Sequence, residues 1–269
     1  MDEFKQLYSL KGDDVLIRVA PPFLPERLDF YKRTRRSQAE AVRSEPAALL
    51  VRWVTGDLFE LPPDGGLSIW GVRFGGPETL TGLAEMLLEI YPQELEGDRE
   101  LLALQLPGDF VFRADAEENL YLTALAKITQ DLIGTPVNFG FRQVECSVVV
   151  LRGKWNFSPV DDIARGRGQI EIYSGKLDSD RNHSCGAGSG DGKAFAGWVG
   201  QAVRQQVVIE ADNVPERLRW RYNNDSSQMP GGLQPSKDLM LKHIEEQTGL
   251  VNTIETREVR RLLVERGEL

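Results

Sequence analysis

The sequence predicts an α+β protein in which an internally duplicated unit lays helices on mostly antiparallel or mixed sheets, as a two-layer sandwich. Two observations predict it. The first is a repeat at an offset near 115 residues: Leu80-Thr81-Gly82-Leu83 lies over Phe195-Ala196-Gly197-Trp198 (195 − 80 = 115), and Arg142-Gln143-Val144 over Arg257-Glu258-Val259 (257 − 142 = 115). With one residue deleted, Val148–Gly153 lies over Leu262–Gly267. Pro107–Arg113 lies over Pro215–Arg221 at an offset of 108 (215 − 107 = 108), so the second copy gains about seven residues beyond that point. The second observation is that segments of strand period and of helix period alternate in the same order in both copies. The organisation expected is an N-terminal extension over 1–65, a first repeat over 66–153, a linker over 154–168 and a second repeat over 169–269.

In the N-terminal section, Val15–Val19 reads as a short strand and Pro21, Pro22 and Pro25 force an extended path after it. The arginine-rich stretch Leu28–Val42 fits a helix or a draped arm, and Ala48–Val54 a strand. Pro62–Gly66 is a turn cluster and a boundary. In the first repeat, Leu67–Phe74 alternates at period two. Leu80, Leu83, Leu87 and Ile90 mark a helix within Glu78–Tyr91 with one buried face. Phe110–Arg113 is a strand, Asn119–Leu132 a second helix, and Val137–Arg142 and Val144–Leu151 two further strands. In the second repeat the strands are Gln169–Tyr173, Gln206–Glu210 and Leu218–Tyr222. The helices are Phe195–Val203 and Asp238–Thr248, the latter capped at Ser236 and stopped by Gly249, before two closing strands.

Composition narrows the function classes. The net charge of −9 argues against general affinity for nucleic acid or anionic lipid, which need a positive surface. No run of apolar residues is long enough to span a membrane. Met1-Asp2-Glu3-Phe4-Lys5 lacks the basic and apolar regions of a signal peptide, which places the chain in the cytoplasm unless Met1 stands where an export signal was removed. Two cysteines, Cys146 and Cys185, are too few for a disulfide framework, and Cys146 sits in a strand-like run as a small apolar residue.

Candidate chemical motifs fail on spacing. Gly186–Lys193 invites a phosphate-loop reading, but Ala187 stands where glycine is needed and Ala194 follows Lys193, so Gly186–Gly192 is expected to be a flexible glycine/serine loop that binds no phosphate. Asp178-Ser179-Asp180-Arg181-Asn182 has the alternating oxygens of a calcium loop. His183 takes the place of its glycine and Ser189 that of its bidentate acid. His183-Ser184-Cys185 are sequence neighbours, a poor arrangement for a base facing a nucleophile. His243 aligns with Ile128 (243 − 128 = 115), which favours a structural role. The basic cluster Lys32-Arg33-Thr34-Arg35-Arg36 is expected to be solvated or internally paired. No residue is therefore assigned as catalytic, cofactor-binding or metal-ligating, and no cofactor is expected.

Several segments resemble a soil-associated protein family of soil bacteria that carries a domain of unknown function. They are Leu80–Tyr91 with Pro92–Gly97 and Phe110–Arg113; Leu122–Leu132 with Arg142–Glu145 and Val148–Val150; Phe195–Trp198 with Val207–Ile209 and Arg217–Trp220; and His243–Leu250. The resemblance covers 66–269. It implies units similar to the short N-terminal domains of secretins and TonB-dependent receptors, which are protein-contact modules, and an association with the cell envelope or with membrane-bound sensors.

The function expected is a non-enzymatic protein-interaction module that takes a partner protein on a strand edge, with no nucleic-acid partner and no membrane-spanning segment. The C-terminal strand Arg260–Glu265 is the edge expected to do so, because no later segment need cover it. The alternative is a hydrolase or small-ligand-binding protein with a site between the two repeats.

Overall fold

The computed structural model describes residues 14–19, 48–53, 67–73, 78–113, 116–160, 162–173, 186–223 and 237–267. In chain order the elements are β1 (Leu16–Val19), β2 (Ala48–Trp53), β3 (Leu67–Arg73), β4 (Glu78–Thr79), α1 (Leu80–Leu88), a 3-10 turn (Pro92–Glu94), β5 (Leu95–Gly97), α2 (Arg99–Leu102), β6 (Gln105–Leu106), β7 (Asp109–Arg113) and α3 (Glu118–Ile133). There follow β8 (Val137–Lys154), α4 (Asp162–Arg167), β9 (Ile170–Tyr173), β10 (Gly186–Gly190), α5 (Gly192–Val203), β11 (Val207–Asp212), β12 (Leu218–Asn223), α6 (Lys237–Thr248) and β13 (Val251–Arg266). Helices and mixed sheets make this an α+β protein. Among the described residues no helix is long and apolar enough to cross a membrane.

The helix ends follow their local chemistry. Thr79 Oγ1 accepts the Gly82 N–H at 3.0 Å to start α1, and Glu89 closes it in the left-handed region. Gly134 (φ 70°) and Gly249 (φ 70°) close α3 and α6, where glycine carries no steric penalty. The α5 helix starts at Gly192 rather than Phe195, because the Asp191 carboxylate accepts the Ala194 N–H at 2.8 Å.

The chain forms two compact units. The first comprises the described residues within Met1–Ile90, Leu95–Arg142 and Arg261–Leu269; the second, those within Tyr91–Glu94 and Gln143–Arg260. This division differs from the expected repeats. In the first unit β7 pairs with β1 (antiparallel) and β2 (parallel), and β2 pairs with β3. Both β1 and β2 come from the stretch expected to be a separate extension, and backbone pairing joins them to the same sheet as β7. The core of this unit packs Leu80, Leu83 and Leu87 of α1 and Leu125 of α3 with Phe110, Phe112, Leu262 and Val264. In the second unit β12 lies between β10 (antiparallel) and β9 (parallel), and β11 pairs in parallel with β8. Its core packs Phe195 and Val199 of α5 and Met240 and Ile244 of α6 on Val149, Leu151, Ile170, Ile172 and Trp220. The repeat anchors Leu80 and Phe195 both lie in helices, and Arg142 and Arg257 both lie in strands.

Three further expectations are corrected. The pairs of strands expected at 137–151 and at the C-terminus are each one continuous strand, β8 and β13. No proline or turn pair interrupts either, and Gly140 has open space around it, so nothing forces a break. The expected flexible loop at Gly186–Gly192 is a strand followed by a capped helix start. Trp220 explains the glycines: a Cβ on Gly188 would lie 2.5 Å from the Trp220 indole, and one on Gly190 2.6 Å from the Ala194 Cβ. The glycines are there to make room, not to confer mobility. Finally, the C-terminal strand is not an open edge at Arg260–Glu265. Leu262–Val264 pair in parallel with Leu95–Gly97 of β5 on one side, and β8 is the neighbour on the other. The stretch Leu28–Val42 with Lys32–Arg36, the turn Pro62–Gly66, the segment Asp178–Cys185 and the cap Ser236 lie outside the described residues.

One edge is closed by a side chain. Gln247 of α6 is 1% exposed, and its Oε1 accepts the Glu171 N–H at 2.8 Å while its Nε2 donates to the Glu171 carbonyl at 2.8 Å. The amide thus does for β9 what another strand would do. Removing it by Gln247→Ala leaves a buried donor and acceptor unpaired, at about 1–3 kcal/mol. Gly188→Ala sets a gain of about 0.4–1 kcal/mol in chain entropy against about 1–3 kcal/mol of overpacking. Trp220 is 1% exposed and is held by Phe195 and Trp198, with ring centroids at 5.6 and 6.1 Å, so the clash wins. Urea unfolding of Gly188→Ala is expected to show a lower midpoint; a midpoint equal to wild type would mean that Trp220 does not cover that glycine.

Candidate functional site

The site begins with which edge remains open. Six residues form β11, and they pair only with β8 among the described strands. The Gln206 carbonyl accepts the Val149 N–H at 2.9 Å, and the Asp212 carbonyl accepts the Trp155 N–H at 2.9 Å. In an extended strand alternate residues turn their backbone groups the same way. Even-numbered positions therefore serve β8, and Val207, Ile209 and Ala211 turn amide and carbonyl outward.

A groove of about 540 Å³ lies against those outward residues. Its walls are β11, the start of α5 (Asp191–Lys193, Ala196 and Gly197), Val214–Glu216 and the turn residues Tyr91, Gln93 and Glu94. That turn rests on α5 because the helix presents glycine there. The Tyr91 hydroxyl donates to the Ala194 carbonyl at 3.2 Å, and Gln93 Nε2 donates to the Gly197 carbonyl at 3.1 Å. A Cβ at Gly197 would sit 1.9 Å from the Tyr91 ring, and one at Gly200 2.3 Å from Gln93 Nε2. The oxygens Gln93 Oε1 and Gln206 Oε1 are buried and have no partner among the described residues. The bond from Gln93 Nε2 fixes which end of that amide is the oxygen.

On the sheet face away from α5 and α6, four charged side chains tie β11 to its neighbours. Arg152 of β8 reaches Glu210 of β11 (Nε to Oε2, 3.0 Å) and Glu255 of β13 (Nη2 to Oε2, 3.1 Å). Arg257 of β13 donates to Glu255 (2.9 Å) and to Glu210 (3.2 Å). Each carboxylate therefore holds both guanidiniums. The Arg152 hydrogen bond, followed by the Thr253 hydroxyl, lowers the Glu255 pKa to about 2. Glu210 is also lowered, chiefly by Arg257. In the first unit Asp98 is lowered by Arg266. Carboxylates held ionised by guanidiniums belong to a structural network, since a general acid needs its pKa raised toward the working pH.

The sequence candidates fall as follows. Lys193 is exposed at the start of α5 and lines the groove; Gly186–Gly190 lie in β10, outside it. His243 is 8% exposed in α6 and its carbonyl accepts from Gln247, a structural setting. Cys146 is half-buried beside Val148, Val150 and Val259. No group of three or more His, Cys, Asp or Glu side chains that would hold a metal ion occurs among the described residues. Sequence reasoning missed Tyr91, Gln93, Glu216 and the charged network. The available signal was alternation: Arg152, Glu210 and Glu255 each stand next to an apolar residue (Leu151, Ile209 and Ile254) in a strand-like run.

A second groove, of about 620 Å³, lies in the first unit between β1 and the Leu120–Asp131 face of α3. Its strand has four residues against six in β11, so it offers a shorter row of backbone groups. These features define an α+β protein of mixed sheets with an open strand edge beside a groove. No family model matches the chain, and neither a curated protein nor a solved structure matches it.

The network gives a pH signature. Glu255 is stabilised in its ionised form, so its contribution is complete above its ordinary pKa of 4.5 and is lost as pH falls through about 2. Wild type is expected to exceed Glu255→Gln in urea midpoint at pH 6, with the gap closing from pH 4.5 down to about 2. A gap that stays constant across that window would mean the carboxylate is not held by the arginines.

Proposed function

We propose that the chain is a non-enzymatic interaction module that accepts an extended segment of a partner protein on the outer edge of β11. The observation that carries this reading is the coincidence of the outward backbone groups of Val207, Ile209 and Ala211 with an apolar groove beside them. Backbone pairing supplies affinity in such complexes, and pockets flanking the edge supply selectivity. Val207, Val208, Ile209, Ala196 and Val214 give the groove its apolar lining. The resemblance to contact modules of secretins and TonB-dependent receptors points the same way. The hydrolase reading has less to rest on, because among the described residues each shifted carboxylate lies in an ion-pair network and is shifted down.

Backbone parity supplies the test. Proline lacks the N–H and is tolerated on a strand only where that N–H faces outward. Ile209→Pro is expected to keep the fold by circular dichroism and to weaken partner capture, measured by pull-down with crosslinking and by titration. Val208→Pro removes a donor that serves β8 and is expected to lower the urea midpoint. Normal capture by a folded Ile209→Pro chain would overturn the β11 reading.

A further inference from the structure

We infer that the segment accepted on β11 is positively charged, a strand alternating apolar residues with lysine or arginine. This rests on the reading of β11 as the docking edge and adds the chemistry of what docks there. Three observations converge. Among the described residues the charged side chains lining the groove are Glu94, Asp191 and Glu216 against Lys193 alone, an acidic balance within a chain of net charge −9. Asp212, at the end of β11, is a further exposed carboxylate. Among the described residues no cation neutralises Glu94 or Asp191: Glu94 accepts the Tyr91 N–H at 2.8 Å, and Asp191 caps α5. Backbone N–H bonds hold both carboxylates in place and leave their charge to act on whatever enters.

The groove is also rich in acceptors. Gln93 Oε1 and Gln206 Oε1 are buried without a partner among the described residues, and both residues line it. A buried acceptor gains most from an occupant that brings donors, and lysine and arginine side chains bring only donors. The charges of Glu210 are different, since Arg152 and Arg257 already satisfy them. The lining carboxylates thus select the partner, while the Glu210 network fixes the strand it pairs with. Complementary charge of this kind governs specificity and encounter rate more than total affinity.

The test uses the full chain and short fluorescent peptides alternating valine with lysine, serine or glutamate, followed by anisotropy. The lysine peptide is expected to bind at least about tenfold more tightly than the serine peptide, and the glutamate peptide most weakly. Glu94→Gln with Glu216→Gln should bring the lysine preference to within about threefold, and Lys193→Gln should strengthen it. Raising the salt should narrow the preference, as screening requires. The preference must vanish in Ile209→Pro, because a cationic peptide held elsewhere on an acidic surface would survive that change. Equal binding of the lysine and serine peptides, both lost in Ile209→Pro, would overturn the charge inference and leave the edge reading standing. A preference that persists in Ile209→Pro would overturn the charge inference at this groove. No binding of any peptide would overturn both.

Discussion

Every strand carries two rows of backbone groups, and each buried row must be satisfied. That requirement decides which strand edges among the described residues stay open. On β9 it is met by one side chain: the Gln247 amide gives and takes the two hydrogen bonds of Glu171 that a further strand would make. On the last turns of β13 it is met by Leu95–Gly97, an edge that Gly97 makes possible, since a Cβ there would stand 2.1 Å from the Val264 carbonyl oxygen. On β11 neither device is present among the described residues, and the outward row opens on a groove. Specific contacts such as these limit where a sheet can pair, and among the described residues β11 is the longer of the two strands that offer an outward row beside a groove.

At three positions glycine serves close approach. The absence of a side chain at Gly188 is filled by Trp220, at Gly197 by Tyr91 and at Gly200 by Gln93. The first lets β10 lie against a fully buried indole. The other two bring the turn Pro92–Glu94 onto α5 and so build one wall of the groove. The composition of these stretches suggests flexibility, whereas in the folded chain they are places of tight packing. A run such as Gly186-Ala187-Gly188-Ser189-Gly190 has the same letters in a mobile linker and beneath an indole, and only the partner side chain tells them apart.

This explains how much was legible in the sequence. Helices with an apolar stripe were readable, because Leu80, Leu83 and Leu87 or Leu122, Leu125 and Ile128 report burial at a fixed local spacing. Most of the longer strands were readable as strands, β10 excepted, and the α+β class followed. Pairing was not. Nothing local in Val207–Asp212 marks an edge, and nothing local in Arg260–Glu265 reveals that β5 covers it, because the partner stands 165 positions away at Glu96 and Arg261. The assignment of β1 and β2 to the sheet of β7 was hidden for the same reason. At the site, Asp191 and Lys193 were noticed as part of a glycine-rich motif, though their roles as cap and groove wall depend on neighbours far away in the chain.

The network of Arg152, Glu210, Glu255 and Arg257 connects stability with the open edge. A docking strand must hold its shape while its outer row is unpaired, since ordering a loose strand on binding would cost backbone entropy of about 1–2 kcal/mol per residue. Glu210 lies on β11 itself and is gripped by guanidiniums from β8 and β13, so the strand is braced from the face opposite the groove. Exposed ion pairs taken singly add little. In a closed network each pair fixes the geometry of the next, which suits bracing more than gross stability. The short length of β11 and the left-handed turn at Asn213 (φ 60°) then limit how far pairing can extend. On the proposed reading, the acidic character of the groove does two things at once. It repels another copy of an equally acidic chain, and it draws in a cationic strand, so the feature that protects the open edge also chooses what fills it.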